Sequence, residues 1–321
     1  MKRILANDGI NVEGKKALED AGFEVTTEKV AQEDLVKELK NYDVVLVRSA
    51  TKIRKDIIDA CPNLKLIGRG GVGLDNIDVE YAKSKGIKVI NTPAASSQSV
   101  AELVFAHLFT MVRFLHDSNR NMPLTGDKEF KVLKKKYAKG MELKGKTLGI
   151  LGLGRIGQAA AKIALGLGMK VVATDPHVPE ATIEMEFFTS DEDTKKISIK
   201  IKTVSFEKVL KDSDFITLHL PMPADGKPLI TKKEIEMMKD GVIIVNAARG
   251  GVVNEADLFE ALNSGKVALA GIDVFENEPT PPITLLMQHN VSLSPHIGAA
   301  TNEAQQRIGL ELAEKIIDFF G

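Results

Sequence analysis

The chain has 321 residues, of which 44% are hydrophobic and 27% are charged, and 43 Lys and Arg residues nearly balance 44 Asp and Glu residues. The length predicts two domains of ordinary size, and the composition is typical of a globular protein in water. The net charge of -1 provides no overall field that would attract nucleic acid or an anionic membrane.

Cysteine usage and the amino terminus indicate the cellular compartment. Cys61 is the only cysteine, so no intrachain disulfide is expected and a reducing environment is favoured. The first residues hold too few consecutive apolar side chains for a signal peptide, and no run approaches the roughly 20 needed to span a bilayer. We therefore expect a cytoplasmic protein with neither a membrane nor a nucleic acid as partner.

Short runs rich in Val and Ile alternate with helical patterns along the chain, which predicts parallel strands joined by helices. A polar stretch at 94–99 precedes the apolar run 100–115, which we interpret as a buried helix leading from one domain into the next. Strands are predicted at 3–7, 23–27, 43–48, 64–68 and 87–91, and again at 147–151, 170–174, 215–219, 242–247, 268–273 and 290–294.

The final helical segment, 302–320, has no strand after it, so we expect it to pack on the first domain. The predicted fold class is α/β, with two doubly wound parallel-sheet domains. One is discontinuous, formed by 1–97 and 299–321, and the other is formed by 98–298.

Two segments depart from this alternation. The basic segment 117–139 breaks helical periodicity, which predicts an arm or loop outside the core. In 184–202, Ile197, Ile199 and Ile201 alternate with polar residues, which is typical of a half-buried strand. We therefore predict an added edge hairpin there.

A glycine-rich motif follows the predicted strand 147–151. Gly152 suits a tight turn, Gly154 lets backbone approach a pyrophosphate, and Gly157 allows close helix packing. Asp175 ends the next predicted strand, 18 residues after Gly157, where a carboxylate accepts hydrogen bonds from ribose hydroxyls. The order of these features predicts dinucleotide binding, and the carboxylate of Asp175 favours NAD over NADP. The alternative interpretation is a glycine-rich turn without a ligand.

Three polar side chains lie near predicted strand ends, where ligands of open α/β sheets bind. His296 suits the base that takes a hydroxyl proton, Glu278 would support its ring, and Arg249 would bind a substrate carboxylate through two parallel hydrogen bonds. Each also has a purely structural interpretation: a turn cap for Arg249, a solvated acid for Glu278 and a loop histidine for His296. The other histidines, including His107 and His116, are predicted to be structural.

Segments 149–157, 246–251, 271–279 and 295–298 together resemble the D-2-hydroxyacid dehydrogenase family. The resemblance implies a Rossmann NAD-binding domain and a flavodoxin-like substrate-binding domain, a catalytic trio of Arg249, Glu278 and His296, and no metal. It also implies that Asp273 contacts the nicotinamide carboxamide. The implied cofactor-binding residues are Gly152, Gly154, Arg155, Ile156, Gly157, Asp175, His219, Leu220, Pro221, Ala247, Asp273 and Gly298.

Within the family, segments 47–52, 68–78 and 91–93 resemble short-form 3-phosphoglycerate dehydrogenases without a C-terminal regulatory domain. This implies NAD-dependent oxidation of 3-phospho-D-glycerate, the entry step of serine synthesis. Arg48 would bind the phosphate, and amides of the glycine-rich loop would bind the carboxylate. The implied substrate-binding residues are Arg48, Ser49, Gly70, Gly71, Val72, Gly73 and Lys135.

The resemblance also implies a homodimer formed through an arm at about 117–145, from which Lys135 would extend into the neighbouring subunit's site. Two alternatives remain open at this point. One is a hydroxypyruvate or glyoxylate reductase on the same scaffold, which would share the catalytic residues. The other is a non-catalytic, NAD-sensing binding protein similar to transcriptional corepressors of this fold.

Overall fold

The computed structural model describes residues 1–190 and 193–321, and the chain divides into two compact units. Unit 1 comprises Met1–Ser99 and Ala299–Gly321, and unit 2 comprises Val100–Gly298. The strands, in chain order, are β1 Arg3–Ala6, β2 Glu24–Thr26, β3 Val44–Val47, β4 Leu66–Arg69, β5 Lys88–Asn91, β6 Thr147–Leu151, β7 Lys170–Thr174, β8 Glu180–Ser190, β9 Asp193–Lys202, β10 Phe215–Leu218, β11 Val242–Asn246, β12 Val267–Ile272 and β13 Val291–Leu293. The α-helices are α1 Val12–Asp20, α2 Leu35–Glu38, α3 Lys55–Ala60, α4 Val79–Ser84, α5 Ser97–Val112, α6 Leu115–Lys136, α7 Arg155–Gly166, α8 Phe206–Asp212, α9 Lys232–Met237, α10 Glu255–Ser264, α11 Ile283–Leu286 and α12 Asn302–Phe320.

Unit 1 is built on a parallel sheet with the strand order β2-β1-β3-β4-β5. Every residue of β3 is buried, as expected for a strand covered by helices on both faces. Helix α12 packs on α1, and a Cβ added to Gly14 would lie 2.5 Å from the carbonyl carbon of Gly309. Glycine is required there because the two helix backbones touch.

Unit 2 contains a second parallel sheet, with the order β13-β12-β11-β10-β6-β7. The chain leaves β6 for β7 on one side and returns to β10 on the other, so the order reverses between β6 and β10. Strand β11 is fully buried, and the core on either face of the sheet is almost entirely aliphatic. The predicted fold class is confirmed, and each predicted strand lies within two residues of an observed one.

The prediction of an arm or loop at 117–139 was wrong in one respect, because α6 is helical from Leu115 to Lys136. Pro123 and Gly126 interrupt the helical pattern in the sequence, and the backbone leaves helical geometry at Glu129. Leu133 is the only residue of α6 classed as buried, so this helix has almost no apolar stripe facing its own unit. The two interrupting residues, Pro123 and Gly126, therefore hid this helix from sequence reasoning.

The predicted hairpin is confirmed as an antiparallel pair of β8 and β9, with Met185 opposite Ile197. It was wrong to place it at the edge of the main sheet, because the pair forms a separate two-stranded sheet. Ala181, Ile183 and Met185 join the core beside α7, so the buried face belongs mainly to β8. Residues 191 and 192 of the predicted segment lie outside the described residues.

Across the described ranges, no single helix is long and apolar enough to cross a membrane. Helices α5 and α6, which are bent by 53° relative to each other, pass that length and composition test only as a pair.

Candidate active site

The glycine loop of unit 2 lies where the strand order reverses, at the carboxyl ends of β6 and β10. Gly152 has a φ of +99°, and a Cβ at this position would lie 2.7 Å from the carbonyl oxygen of His219. A Cβ on Gly157 would collide with the carbonyl oxygen of Gly152. At Gly154 an added Cβ would meet open space, which is the position where backbone approaches a pyrophosphate.

Asp175 lies beside this loop, immediately after β7. Its Oδ2 accepts a hydrogen bond of 2.8 Å from the amide of Leu153, and its Oδ1 accepts from the amides of His177 and Val178. The carboxylate therefore joins the turn after β7 to the glycine loop. Arg155 is the first residue of α7, and Ile156 packs against the core.

His219 follows β10 on the opposite side of the crevice. Its Nε2 lies 3.1 Å from Thr217 Oγ1, and desolvation lowers the pKa of the imidazole to about 3, so the ring is neutral at physiological pH. The residue is only partly buried as a whole, but its Nδ1 is shielded from solvent and has no hydrogen-bond partner within the described ranges. An unsatisfied buried nitrogen beside an open glycine loop fits a site that a cofactor completes. Leu220 is partly buried and Pro221 is exposed.

His296 and Glu278 form a direct pair. His296 Nδ1 lies 2.8 Å from Glu278 Oε2, and Glu278 Oε1 accepts a hydrogen bond of 3.0 Å from the amide of Phe275. Burial disfavours ionisation of Glu278, but hydrogen bonds from His296 and Phe275, with the positive charge of Arg249, lower the pKa of its carboxyl below the usual range. The ring thus has one nitrogen fixed by a carboxylate, which leaves Nε2 for a substrate.

Arg249 lies on the turn after β11. Its Nη1 donates a hydrogen bond of 2.6 Å to the carbonyl oxygen of Ala248. The side chain of Asn246 spans the turn, since its Oδ1 accepts from the Ala248 amide and its Nδ2 donates to the Arg249 carbonyl. Sequence reasoning did not assign Asn246 a role, although an Asn directly after a buried strand is a signal for such a turn. Ala247 is buried in the turn.

The turn that carries His296 is held by Asp273, which is 1% exposed. His296 has a φ of +56°, in the left-handed region that a non-glycine residue adopts only under constraint. Its amide donates to the Asp273 carbonyl at 2.8 Å, while the amides of Ile297 and Gly298 donate to the Asp273 carboxylate at 2.8 and 3.0 Å. Ser294 Oγ donates a third hydrogen bond to that carboxylate, which leaves one acceptor position for a ligand such as a carboxamide.

Unit 1 has its own crevice, at the carboxyl ends of β1 and β3. A cavity of about 350 Å³ is bordered there by Asp8, Lys29, Arg48 and Ser49, among other residues. Asp8 Oδ2 accepts hydrogen bonds from the amides of Arg48 and Thr51, and its Oδ1 accepts from Thr51 Oγ1. Asp8 was not predicted as a site residue, but it fixes the loop that presents Arg48.

The glycine-rich loop after β4 departs from one detail of the prediction. The amide of Gly71 donates to Thr92 Oγ1 at 2.8 Å, so it is not available to hold a substrate carboxylate. The amide of Gly70 donates to the Val47 carbonyl at 2.9 Å and is not available either, so Val72 and Gly73 remain as candidates for that role. Gly71 has a φ of +136°, and a Cβ there would collide with the guanidinium of Arg69, which folds over it. Arg69 is a second cation at this loop, and sequence reasoning did not select it.

Lys135 lies on the exposed face of α6, beside a cavity also bordered by Lys131 and Lys139. In the described part of the chain, no group of three or more His, Cys, Asp or Glu side chains is placed to hold a metal ion.

Comparison with known proteins fixes the family. Residues 105–298 match the family model described as the NAD binding domain of D-isomer specific 2-hydroxyacid dehydrogenases. The chain is a member of this family. It is therefore an enzyme, and its cofactor is NAD, so the alternative of a non-catalytic binding protein is set aside.

Relatives of this dehydrogenase include a hydroxypyruvate reductase and D-3-phosphoglycerate dehydrogenases. It is 46% identical to a hydroxypyruvate reductase of Thermotoga maritima over 99% of this chain and 98% of the relative. It is 41% identical to a D-3-phosphoglycerate dehydrogenase of Archaeoglobus fulgidus over 98% of this chain, but the match spans only 57% of that protein. A solved NAD+-bound 3-phosphoglycerate dehydrogenase of Entamoeba histolytica superposes with a TM-score of 0.77 at 30% identity, covering 100% of this chain and 95% of the other.

Proposed function

We propose that the protein oxidises 3-phospho-D-glycerate to 3-phosphohydroxypyruvate with NAD, the entry step of serine synthesis. The observation that carries the reaction is the 2.8 Å contact between His296 Nδ1 and Glu278 Oε2, which directs the other ring nitrogen to a substrate hydroxyl. The bound cofactor supplies the hydride acceptor, and the residues of the chain bind, orient and deprotonate the alcohol.

In this mechanism His296 Nε2 takes the proton of the C2 hydroxyl. The charged ring that results is stabilised by Glu278, whose lowered pKa keeps it a carboxylate at neutral pH. Arg249 binds the substrate carboxylate through its planar guanidinium. Orientation of C2 by these contacts supplies much of the rate.

The choice of a phosphorylated substrate rests on Arg48. Its side chain borders the cavity of unit 1, and its guanidinium forms no hydrogen bond or ion pair with residues 1–190 and 193–321, which the structure describes. A half-buried guanidinium without a protein partner calls for an anion, and a phosphate accepts two parallel hydrogen bonds from it. By the resemblance, the amides of Val72 and Gly73 in the same unit help to hold the substrate carboxylate.

A hydroxypyruvate reductase is the second candidate, favoured by the 46% identity to the Thermotoga maritima protein over nearly the whole of both chains. Such an enzyme would use the same trio in the opposite direction, with the protonated His296 delivering a proton to the carbonyl oxygen. The two candidates share the trio and differ in the direction of the reaction and in whether the substrate carries a phosphate.

The decisive experiment compares kcat/KM for 3-phosphoglycerate and D-glycerate, and for 3-phosphohydroxypyruvate and hydroxypyruvate, in wild type and in Arg48→Ala. We expect the phosphorylated acids to be preferred, and Arg48→Ala to lower their kcat/KM roughly 10- to 100-fold while sparing the others. Arg3→Ala, which removes an exposed arginine paired with Glu24, is the matched control. Equal efficiency towards both classes in wild type would favour the reductase.

We also propose a cytoplasmic homodimer formed through α5 and α6. Among the described residues, exposed apolar side chains concentrate in this segment, including Leu115, Leu124, Phe130 and Val132, which are 52–76% exposed. Light scattering should report twice the mass of 34.9 kDa, and a Leu124→Lys, Val132→Lys double variant should be monomeric. If Lys135 completes the neighbouring site, Lys135→Ala should raise the KM of the phosphorylated acid and Lys134→Ala should not.

A further inference from the structure

His107 lies in the middle of α5, far along the sequence from the trio, and its ring is 5% exposed. Both of its ring nitrogens are occupied by serines at the edge of the sheet of unit 2. Nδ1 lies 2.8 Å from Ser292 Oγ, and Nε2 lies 2.9 Å from Ser294 Oγ. Both nitrogens of this buried ring are therefore satisfied, one by β13 and the other by the residue after it.

The hydrogen bonds of this group have one consistent direction. Ser294 Oγ donates to Asp273 Oδ1 at 2.6 Å, so its oxygen accepts from His107 Nε2–H. Nδ1 of His107 then carries no proton and accepts from the hydroxyl of Ser292. Burial lowers the pKa of His107, and the negative charge of Asp273 only partly opposes this, so the neutral ring that the arrangement requires is the favoured form.

The sheet is shaped to admit this ring. A Cβ added to Gly271 of β12 would lie 2.9 Å from Cβ of His107 and 3.2 Å from its Cγ. Glycine at this position lets the imidazole cross β12 to the edge strand β13. The contact therefore depends on three separate elements: α5, β12 and the segment after β13.

The order of hydrogen bonds leads from His107 to the catalytic base. His107 orients Ser294, Ser294 orients the Asp273 carboxylate, and that carboxylate accepts the amides of Ile297 and Gly298, which follow His296. The φ of +56° at His296 needs constraints on both sides of the turn. If the Asp273 carboxylate were free to rotate, it would release the amides of Ile297 and Gly298, which supply two of these constraints.

We propose that His107 is a positioning residue for the dehydrogenase reaction, which holds the left-handed turn of His296 through Ser294 and Asp273 without touching substrate or cofactor. The inference rests on the proposed role of His296 as the base. It goes beyond the expectation from sequence that His107 is structural.

The test measures kcat, KM and melting temperature for His107→Leu, His107→Gln, Ser294→Ala and Ser292→Ala. We expect His107→Leu to lower kcat roughly 10- to 100-fold with little change in the KM of the acid, because the base is misplaced while Arg249 still binds the carboxylate. Ser294→Ala should also lower kcat with little change in KM, but to a smaller extent. This variant replaces His107→Leu in the test if His107→Leu does not fold. Ser292→Ala should leave kcat unchanged, since the bond from His107 to Ser294 survives.

His107→Gln is the rescue variant, since its amide nitrogen places an N–H donor near the position of Nε2. Recovery of kcat in this variant, relative to His107→Leu, supports positioning through Ser294. The proposal is overturned if His107→Leu or Ser294→Ala loses melting temperature but keeps the wild-type kcat, or if Ser292→Ala lowers kcat as much as Ser294→Ala does. His296→Ala is measured in parallel: if it stays active, the assignment of the base itself has failed.

Discussion

Two carboxylates, Asp8 in unit 1 and Asp273 in unit 2, hold loops in the same way. Both follow a parallel strand, and each accepts two backbone N–H groups and one side-chain hydroxyl. The donors to Asp8 are the backbone amides of Arg48 and Thr51 and the Thr51 hydroxyl. The donors to Asp273 are the backbone amides of Ile297 and Gly298 and the Ser294 hydroxyl.

The surroundings of the two carboxylates differ. Asp8 borders a cavity and lies 3.9 Å from the exposed Nζ of Lys29, while Asp273 is 1% exposed and backed by His107. The same arrangement therefore presents a cationic loop in one unit and fixes a strained turn in the other. The fold supplies two crevices at strand ends, and in the proposed mechanism the side chains make one a binding site and the other the reacting site. We expect changes at Asp273 to affect turnover and changes at Asp8 to affect binding.

The largest effect is expected at the turn that Asp273 holds. His296→Ala should lower kcat/KM roughly 10²- to 10⁴-fold, because the alcohol then loses its general base. His289→Ala, which removes an exposed histidine of the same unit, should have wild-type activity. Steady-state kinetics of both variants check this, and an active His296→Ala protein would refute the proposed mechanism.

Next in size is Asp273→Asn. The Asp273 carboxylate accepts hydrogen bonds from three donors, and the N–H₂ group of an asparagine would face at least one of them. That donor and the N–H₂ group would then be buried without a hydrogen bond. We expect kcat to fall on the order of 10- to 100-fold and the free energy of unfolding to fall by about 1–3 kcal/mol. Urea denaturation and kinetics measure the two effects, and Asp240→Asn, which alters an exposed pair with Lys266, is the control.

Glu278→Gln should have a smaller effect, about 10-fold or more in kcat/KM, because the ring keeps a hydrogen-bond partner but loses a charge. The pKa of Glu278 is lowered from its ordinary value of 4.5, so the stabilisation from its charge is complete above pH 4.5 and is lost as pH falls through the lowered pKa. The stability difference between wild type and Glu278→Gln should therefore be constant near neutral pH and shrink below pH 4.5. Thermal melts across this range measure it, and a difference that grows in acid would contradict the assignment.

Asp8→Asn is expected to have the smallest effect on catalysis. The loop of Arg48 would lose hydrogen bonds, so we expect the KM of a phosphorylated acid to rise several-fold with kcat preserved, a loss of about 1 kcal/mol in binding. Asp34→Asn, an exposed acid of the same unit, should change neither constant. A fall in kcat equal to that of Asp273→Asn would show that the two carboxylates have the same role, which contradicts the comparison.

The sequence by itself determined the parallel strands, the glycine loop and the acid after β7. These features are local, because a buried strand needs a short run of aliphatic residues, and Gly152, Gly154 and Gly157 each answer a backbone requirement within one turn. Glu278 and His296 could be selected for the same reason, since each follows a strand. That Glu278 supports the His296 ring was a hypothesis from the sequence, and the 2.8 Å contact itself came from the tertiary structure.

The tertiary structure alone decided the rest. Helix α6 continues through Pro123 and Gly126, which predict a break, and the amide of Gly71 is taken by a threonine 21 residues away. His107 and Ser292 are 185 residues apart. Hydrogen bonds of this kind depend on how helices and strands are brought together by packing, and no local periodicity or spacing encodes that arrangement.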